Sequence, residues 1–467
     1  MYVNIKQPED TSTTMESIAA ADVLREILLK LPAKDVACCR CVSRRWRCII
    51  GDSSFCRLHA VSGSGSGPET LLVSHGTLLG KGLQNTVLLS VSSTKPMPTS
   101  RIEVAGGGYH PASVCNGFVV LASERVKIGF NYGYSILELE SLYVWNPVTG
   151  EKLRVPVPSV QSKGWHLFAM GFSGVSHPYK LFRLPFRGVW TDDNHLDVYT
   201  LGDSRGWRRL PDPVPRYWVH WAGSPPTLVD GKLYVLTKRS KWYPSPPDRV
   251  LVIDVASEAY RMYRLMEGYW KTDAVAVMDA FELAGRLCVA VHVLDKLHLW
   301  VMPSPRLVEG GQRQLSKKLA GDWELRYSFY RDHPVSHSKL DEPRGTWIDD
   351  DGTLCCVMGD HLYKYNTANK DNKHNDKDEV GGSFLTWDQK LRLPPPPSGD
   401  NRQWRIYGGY RPTLVSPRDI GGKITTTNHL RATSYVHCSW HNSKKGYRPP
   451  FPHNGSDEHA SMRIIDH

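Results

Sequence analysis

Hydrophobic positions in the first sixty residues recur with the spacing of α-helices, a pattern that the rest of the chain does not repeat. Pro32 ends a first helix, because proline lacks an N–H and disfavours helical geometry in the preceding residue. A second helix is predicted to begin at its N-cap Asp35 and to break at Gly51-Asp52, before a last apolar pair, Phe55 and Leu58. The apolar stripes are Val23, Leu24, Ile27, Leu28 and Leu31, then Val36, Cys39, Val42, Trp46 and Ile49 or Ile50.

This helical module, residues 18–60, is too short to bury much apolar surface by itself. We therefore expect it to lean on a partner or on the rest of the chain. Residues 61–69 are rich in Gly and Ser and predict a flexible linker. No strand precedes these glycines and no Lys-Ser/Thr follows them, so a nucleotide site is not expected. Residues 1–17 are polar and are predicted to be disordered.

Between residues 70 and 416 the pattern changes to short runs of β-branched and aromatic residues separated by turns. One phrase recurs at intervals of roughly 45 to 65 residues, the spacing of four-stranded propeller blades: an apolar strand, a turn with Asn or Asp, then a polar residue. Hairpins lie between the copies. The prediction is a small all-α module followed by an all-β propeller-like domain of about six blades. The copies lie at 142–151, 196–201, 250–258, 297–302 and 362–370, and the hairpins at 227–236, 281–289 and 347–355.

Three further segments, in the β region and after it, have predicted roles of their own. Residues 366–382 are highly charged and predict a mobile loop between blades. Residues 409–417 suit a strand that closes the ring by pairing with the first blade. Residues 417–467 are predicted to be a polar, basic and largely disordered tail.

Composition narrows the class of protein. No run approaches the roughly 20 apolar residues of a membrane span, and the ten cysteines are scattered as expected of free thiols in a reducing compartment. We therefore expect a protein of the nucleus or cytoplasm without a membrane partner. The net charge of +11 is spread along the chain without a nucleic-acid motif. We therefore expect the charge to keep the protein soluble or to favour a particular kind of target.

Catalytic and metal motifs are recognisable by the spacing of their residues. Gly-x-Ser-x-Gly, His-Glu-x-x-His and Walker loops are all missing from the sequence, so we expect no catalytic residues, no cofactor and no metal. Three weak metal candidates remain, each with a preferred alternative. Asp349-Asp350-Asp351-Gly352 suits a hairpin turn, Cys38-x-x-Cys41 suits core cysteines, and the group His437, Cys438, His441 and His453 suits a polar tail.

Residues 22–36, 40–47 and 52–55 resemble the F-box family. The resemblance implies that the module, the F-box, docks onto a Skp-type adaptor that holds cullin and RING subunits. Ala19-Ala20 stands where many F-boxes carry Leu-Pro, which bears on the first adaptor contact, and Ile18 is a partial replacement. The β region resembles the kelch- or propeller-like F-box-associated domain of plant F-box proteins, through residues 113–118, 145–147, 207–211 and 409–417.

The expected function is that of a substrate receptor of a Skp–cullin–F-box ubiquitin ligase, with an unidentified target protein. Alternatives are a propeller enzyme or carbohydrate-binding protein, or an F-box scaffold outside the ligase. The arginines of the second helix suit a solvated face or an electrostatic role at the adaptor. The candidate adaptor-binding residues are Val23, Leu24, Ile27, Leu28, Leu31, Pro32, Val36, Val42 and Trp46, and the candidate target-binding residues are Trp218, Trp221, Arg239, Trp242 and Tyr243.

Overall fold

The structure, a computed structural model, describes the chain in segments between residues 21 and 420. The described residues are 21–62, 69–74, 86–91, 100–104, 109–128, 135–158, 166–174, 178–185, 195–214, 218–219, 224–238, 246–266, 277–293, 296–303, 323–331, 343–349, 352–359, 361–367, 383–385, 389–393 and 404–420.

The N-terminal module consists of four short helices. The predicted second helix is wrong as one element, because the chain turns at residues 40–43 and divides it into two. Ser43 is extended, and its Oγ accepts a hydrogen bond from the backbone N–H of Trp46 at 3.2 Å, as an N-cap does. Asp52 accepts from the N–H groups of Ser54 and Phe55 in the same way. The helices are α1 (residues 21–29), α2 (Ala33–Cys39), α3 (Arg44–Gly51) and α4 (Ser53–Ser62).

Six β-sheets follow, and each forms one blade of a propeller, as the sequence predicted. The first blade takes three strands from the start of the β region and its innermost strand from the end. Blade 1 contains β1 (Glu69–Ser74), β2 (Thr86–Val91), β3 (Ser100–Val104) and β26 (Trp404–Tyr410). Blade 2 contains β4 (Tyr109–Cys115), β5 (Phe118–Ile128), β6 (Ser135–Trp145) and β7 (Lys152–Val155). Blade 3 contains β8 (His166–Gly171), β9 (Lys180–Pro185), β10 (His195–Thr200) and β11 (Arg208–Pro213).

Blades 4 and 5 each have a fifth strand. Blade 4 contains β12 (Trp218–Val219), β13 (Thr227–Val229), β14 (Lys232–Lys238), β15 (Arg249–Asp254) and β16 (Tyr260–Arg264). Blade 5 contains β17 (Val277–Leu283), β18 (Arg286–Val293), β19 (Lys296–Val301), β20 (Glu324–Arg331) and β24 (Ser383–Leu385). Blade 6 contains β21 (Pro343–Ile348), β22 (Thr353–Met358), β23 (His361–Asn366) and β25 (Gln389–Arg392).

The recurring phrase of the sequence is the third strand of a blade together with the turn that follows it. β6, β10, β15, β19 and β23 all occupy that position. The intervening hairpins join the first strand of a blade to the second. Their tips pair two residues with positive φ, Asp230 with Gly231 and Ala284 with Gly285, which is the backbone of a tight type I′ turn.

The ring is closed by the C-terminal strand. β26 pairs antiparallel with β1, from Leu71 opposite Tyr407 to Ser74 opposite Trp404. Closure against the first blade was predicted, but for residues 409–417, and the strand lies earlier in the chain. The residues after Tyr410 are irregular and then form a short helix, α5 (Pro417–Ile420), so the predicted tail does not begin at residue 417 as disordered chain.

The charged segment 366–382 is the predicted mobile loop between blades. It follows β23, the third strand of blade 6, and leads into β24, which pairs parallel with β20 of blade 5. The chain then returns to blade 6 as β25. β24 therefore lies at the outer edge of blade 5, although it falls between two strands of blade 6 in the sequence. Residues 368–382 lie outside the described residues.

Neighbouring blades are joined by hydrogen bonds near the centre of the ring. Between blades 1 and 2, Tyr407 Oη donates to Pro111 O at 2.8 Å. Ser113 Oγ accepts from Met170 N at 3.0 Å between blades 2 and 3. Further bonds between blades 4 and 5 and between blades 5 and 6 are Thr227 Oγ1 to Ala280 O at 2.9 Å, and His292 Nε2 with Thr346 Oγ1 at 2.7 Å.

Candidate functional site

The helical module exposes five large apolar side chains. Val23 and Ile27 lie one turn apart on α1, and their side chains are 61% and 52% exposed. Val42, between α2 and α3, is 64% exposed, and on α4 Leu58 and Val61 are 44% and 72% exposed. Single exposed apolar residues are common on proteins, but five on a module of this size mark a candidate binding surface.

Other side chains of the module pack with the propeller. Leu28, Val36 and Phe55 are fully buried, and they share one apolar cluster with Phe118 and Leu142 of blade 2. The module is therefore covered on one side by its own chain. Of the predicted adaptor residues, Leu28 and Val36 lie in this core, whereas Leu24, Leu31, Pro32 and Trp46 are partly buried.

Polar contacts fix the same junction. Lys34 of α2 donates to the carboxylate of Glu69 at 2.6 Å and to Ser90 Oγ at 3.1 Å, both in blade 1. Glu69 is buried and also accepts from the Ser90 hydroxyl. Within the module, His59 Nε2 lies 2.9 Å from Leu31 O. The module is thus held on the propeller by apolar packing and by a partly buried ion pair.

The C-terminal segment after β26 runs between the module and blade 2. Leu414 and Val415 belong to the apolar cluster of the junction. Asn146, fully buried, donates from Nδ2 to Thr413 O at 2.9 Å and to Val415 O at 2.8 Å. Its Oδ1 accepts from the N–H groups of Val148 and Thr149. Gly117 must be glycine, because a Cβ there would overlap Arg411 O and its φ is +86°.

Three of the sequence motifs therefore meet at one place: residues 113–118, residues 145–147 and residues 409–417. The fourth, residues 207–211, packs nearby within blade 3. There Trp207 contacts Tyr199 and Phe168 and donates from Nε1 to Pro156 O at 2.6 Å. These motif residues build the fold.

One of the predicted target-binding residues, Trp218, has a described backbone. The backbone of Trp218 lies in β12, which pairs with β14, while its side chain is outside the described residues. Trp221, Arg239, Trp242 and Tyr243 also lie outside them.

The metal candidates can be placed in part. Cys38 and Cys41 are exposed, so their interpretation as core cysteines is wrong. Asp349 is buried and accepts a hydrogen bond from Trp347 Nε1 at 2.7 Å. The described part of the chain contains no group of three or more His, Cys, Asp or Glu side chains placed to hold a metal ion. His437, Cys438, His441 and His453 lie beyond residue 420, where the description ends.

A small cavity lies between the inner strands of blades 4, 5, 6 and 1. Its polar lining comes from Asp279, Thr346 and Ser224, and its apolar lining includes Phe281 and Ile406. Asp279 is buried in the middle of strand β17, between the apolar residues Met278 and Ala280. A charged residue between apolar neighbours in a buried strand is a sequence signal for such a site, and Asp279 was not among the predicted site residues.

Among the described residues, no helix has both the length and the apolar character needed to cross a bilayer.

Two family profiles match the chain. A profile described as F-box domain matches residues 21–58, and one described as F-box associated beta propeller domain matches residues 83–306. The order of the two matches, an F-box domain and then an F-box associated beta propeller domain, is the order of the helical module and the propeller in the structure. The F-box match covers α1 to α3 and the first part of α4, and the propeller match begins before β2 and ends after β19.

Several plant F-box proteins are similar to this chain. One from Arabidopsis thaliana is 26% identical over 272 residues, which cover 56% of this chain and 63% of the relative. F-box protein DOR of the same plant is 25% identical over 251 residues, covering 53% of this chain and 61% of that protein. This chain thus spans less than two thirds of the length of both relatives.

Solved structures resemble the chain only weakly. A protein from Lactobacillus plantarum matches with a TM-score of 0.38 at 11% identity, covering 73% of this chain and 99% of that chain. An apocarotenoid oxygenase from Synechocystis matches with a TM-score of 0.29 at 11% identity, covering 52% of this chain and 58% of that chain. Scores this low do not establish a common fold.

Asp279 of the propeller makes the stability of the fold depend on pH. Burial raises the pKa of its carboxyl to about 7, against a hydrogen bond from the Thr346 N–H that lowers it. A carboxyl with a raised pKa stabilises the fold at low pH, and that contribution is lost as the pH rises through the folded-state pKa. The side chain of Asp279→Asn cannot ionise. We therefore expect the free energy of unfolding of this variant to be about 1–3 kcal/mol higher than that of the parent at pH 8.

Urea denaturation of the parent and of Asp279→Asn at pH 5, 6, 7 and 8 measures this difference. The advantage of the variant should shrink steadily toward pH 5, because the parent carboxyl is then protonated in the folded protein. An advantage that is the same at all four pH values would show that the ionisation of Asp279 does not control it.

Proposed function

We propose that the chain is the substrate-recognition subunit of a Skp–cullin–F-box ubiquitin ligase and acts by binding rather than by catalysis. The F-box would dock onto a Skp-type adaptor, which joins it to cullin and RING subunits, and the propeller would capture the target protein. The names of the similar plant proteins support the F-box assignment.

The observation that carries the proposal is the division of the F-box into a covered and an uncovered side. Leu28, Val36 and Phe55 are buried against the propeller, so internal packing already satisfies the core of the module. Val23, Ile27 and Val42 are more than half exposed and contribute nothing comparable to that core. An apolar surface that the chain does not cover fits a partner surface, and central apolar contacts dominate binding energies.

Charge around this surface suits an acidic partner. Arg44, Arg45 and Arg47 of α3 are exposed, and the chain as a whole carries a net charge of +11. Basic side chains at the rim of an interface speed association and select partners of opposite charge more than they add affinity. We therefore propose that the adaptor presents an acidic rim around an apolar groove.

All nine cysteines in the described part of the chain are free thiols. A protein with this many unpaired cysteines suits a reducing compartment, and we propose that it acts in the nucleus or the cytoplasm.

Adaptor capture tests the proposal. Changing Val23 and Ile27 together to Asp should lower the capture of a purified Skp-type adaptor by at least about tenfold, because two apolar contacts are replaced by desolvated charges. Both positions are exposed, so the propeller should melt as in the parent. Leu325→Asp is the matched control, since Leu325 is an apolar residue 38% exposed on β20 of blade 5.

The control should capture the adaptor like the parent. Equal capture by the parent and by the Val23, Ile27 double variant would contradict the adaptor surface. Leu28→Asp is not a suitable test, because Leu28 is fully buried and the change would disrupt the core of the module.

A further inference from the structure

The cavity near the centre of the ring has the features of a binding site. Four blades contribute to it: Ser224 from the segment between β12 and β13 of blade 4, Asp279 from blade 5, Thr346 from blade 6 and Gly408 from blade 1. It holds one group about the size of a water molecule. Gly408 is exposed, so the cavity opens on its blade 1 side.

The carboxylate of Asp279 is only partly satisfied. The Thr346 N–H donates one hydrogen bond to it, while Oδ2 is buried and has no partner in the described structure. A buried carboxylate accepts several hydrogen bonds and is costly to ionise without them. Oδ2 of Asp279 is therefore a hydrogen-bond acceptor in this cavity, and a bound group with an N–H or O–H donor would satisfy it.

The rest of the lining narrows the chemistry of that donor. The Ser224 hydroxyl lies 3.2 Å from Ala280 O and accepts from Ala280 N at 2.8 Å, and Thr346 Oγ1 pairs with His292. Phe281 and Trp347 add aromatic surface. One carboxylate beside hydroxyl and aromatic groups, in a space for a single small group, matches a cation that donates hydrogen bonds.

We propose that this cavity binds a primary ammonium group, the end of a lysine side chain from a partner protein. An ammonium is about the size of a water molecule and carries three donors, whereas the planar guanidinium of arginine is larger than the space. The inference deepens the proposed function, because the partner that supplies the lysine would be the target held by the propeller.

Two variants isolate the site. Asp279→Asn keeps the shape of the side chain and removes its charge. Gly408→Leu narrows the opening: a Cβ at Gly408 meets no atom within 4 Å, so the added side chain enters open space. Both changes lie in the propeller and leave the exposed F-box residues untouched, so adaptor capture should equal that of the parent.

The first measurement uses methylammonium chloride with the full chain at pH 8. Methylammonium should raise the Tm of the parent but not that of Asp279→Asn, and tetramethylammonium chloride at equal ionic strength should raise neither, because it is larger and has no N–H donor. Equal shifts in the parent and in Asp279→Asn would overturn the site.

The second measurement, by calorimetry, uses the blocked peptide Gly-Gly-Lys-Gly-Gly and its counterparts with arginine or acetyl-lysine in the centre. The lysine peptide should bind the parent at least about tenfold more tightly than the other two peptides, and each variant should lose that preference. Equal binding of the lysine and acetyl-lysine peptides would overturn the lysine assignment. If methylammonium binds while the lysine peptide does not, the cavity takes a free amine and the proposed partner is wrong.

The failure of this inference is distinguishable from failure of the proposed function. Adaptor capture depends on the F-box surface around Val23 and Ile27, and the peptide measurement depends on Asp279. A protein that captures the adaptor but ignores lysine keeps the proposed function and loses the inference.

Discussion

A chain shortened to end at residue 403 is expected to lose the cooperative unfolding of the whole propeller. The change removes β26, the inner strand of blade 1, and with it the pairing to β1 that closes the ring. Trp404, Tyr407 and Tyr410 of this strand are at most 4% exposed. Losing one buried aromatic costs about 3–5 kcal/mol, so losing three costs about 9–15 kcal/mol, which is comparable to the 5–15 kcal/mol that holds a typical protein folded.

Closure is also what ties the remaining blades together. The first strands of blades 1 and 2 are joined by the Tyr407 hydroxyl to Pro111 O, and blades 6 and 1 meet where Gly345 approaches Ile406 so closely that a Cβ would overlap it. Without β26 both contacts vanish, and β1 is left with an open edge. An unpaired inner edge favours aggregation.

Calorimetry and near-ultraviolet circular dichroism of the shortened chain measure this loss. A chain ending at residue 420 is the control, because it keeps all of the described contacts of β26 and α5. The control should show one sharp transition, and the shorter chain a broad transition or none. If both chains melt at the same temperature with the same enthalpy, ring closure by β26 does not stabilise the propeller.

The blades could be predicted from the sequence because their signals are local. The apolar strand followed by a turn recurs as the third strand of blades 2 to 6, and tips such as Asp230-Gly231 supply the positive φ of a tight hairpin. Ring closure could be anticipated because a propeller needs it, but the bounds of its strand could not. Gly408 and Gly409 interrupt the apolar pattern of β26.

Which side chains of the F-box are buried could not be predicted from the sequence, for a different reason. Periodicity shows that Val23, Ile27 and Leu28 fall on one broad apolar side of α1, but it does not show which part of the propeller covers that side. In the structure Leu28 is buried while Val23 and Ile27 are not. The break before α3 was missed because Ser43 caps a helix within an unbroken apolar stripe.

Asp279 illustrates the remaining gap. Its carboxyl is important because of Thr346, a residue of the next blade, and because of the cavity that four blades enclose. Thr346 and the cavity residues from the other blades, Ser224 and Gly408, are all far from Asp279 in the sequence. Sites that several repeats build together depend on the closed ring, and a single sequence indicates them only through a polar residue in an apolar strand.

The hydrogen bonds of the Asn146 side chain to the C-terminal segment and to its own turn, here called the clasp, are expected to contribute strongly to the stability of the fold. Asn146→Ala would remove two donors from the carbonyls of Thr413 and Val415 and an acceptor from the N–H groups of Val148 and Thr149. Because Asn146 is fully buried, water cannot replace these bonds without reorganisation. We expect a loss of about 3–5 kcal/mol in the free energy of unfolding.

Asn146→Asp distinguishes the effect of the donated hydrogen bonds of the clasp from that of the accepted ones. The carboxylate still accepts from Val148 and Thr149, but it places an oxygen against the carbonyls of Thr413 and Val415, so this variant should be at least as unstable as Asn146→Ala at pH 7. Thr149→Ala is the control: its hydroxyl accepts only a 3.3 Å bond from Glu151 N among the described contacts, and we expect a change within about 0.5 kcal/mol. Urea denaturation compares all three. An Asn146→Asp protein as stable as the parent would mean that the two long-range bonds, which join residues more than 260 positions apart, do not hold the C-terminal segment on blade 2.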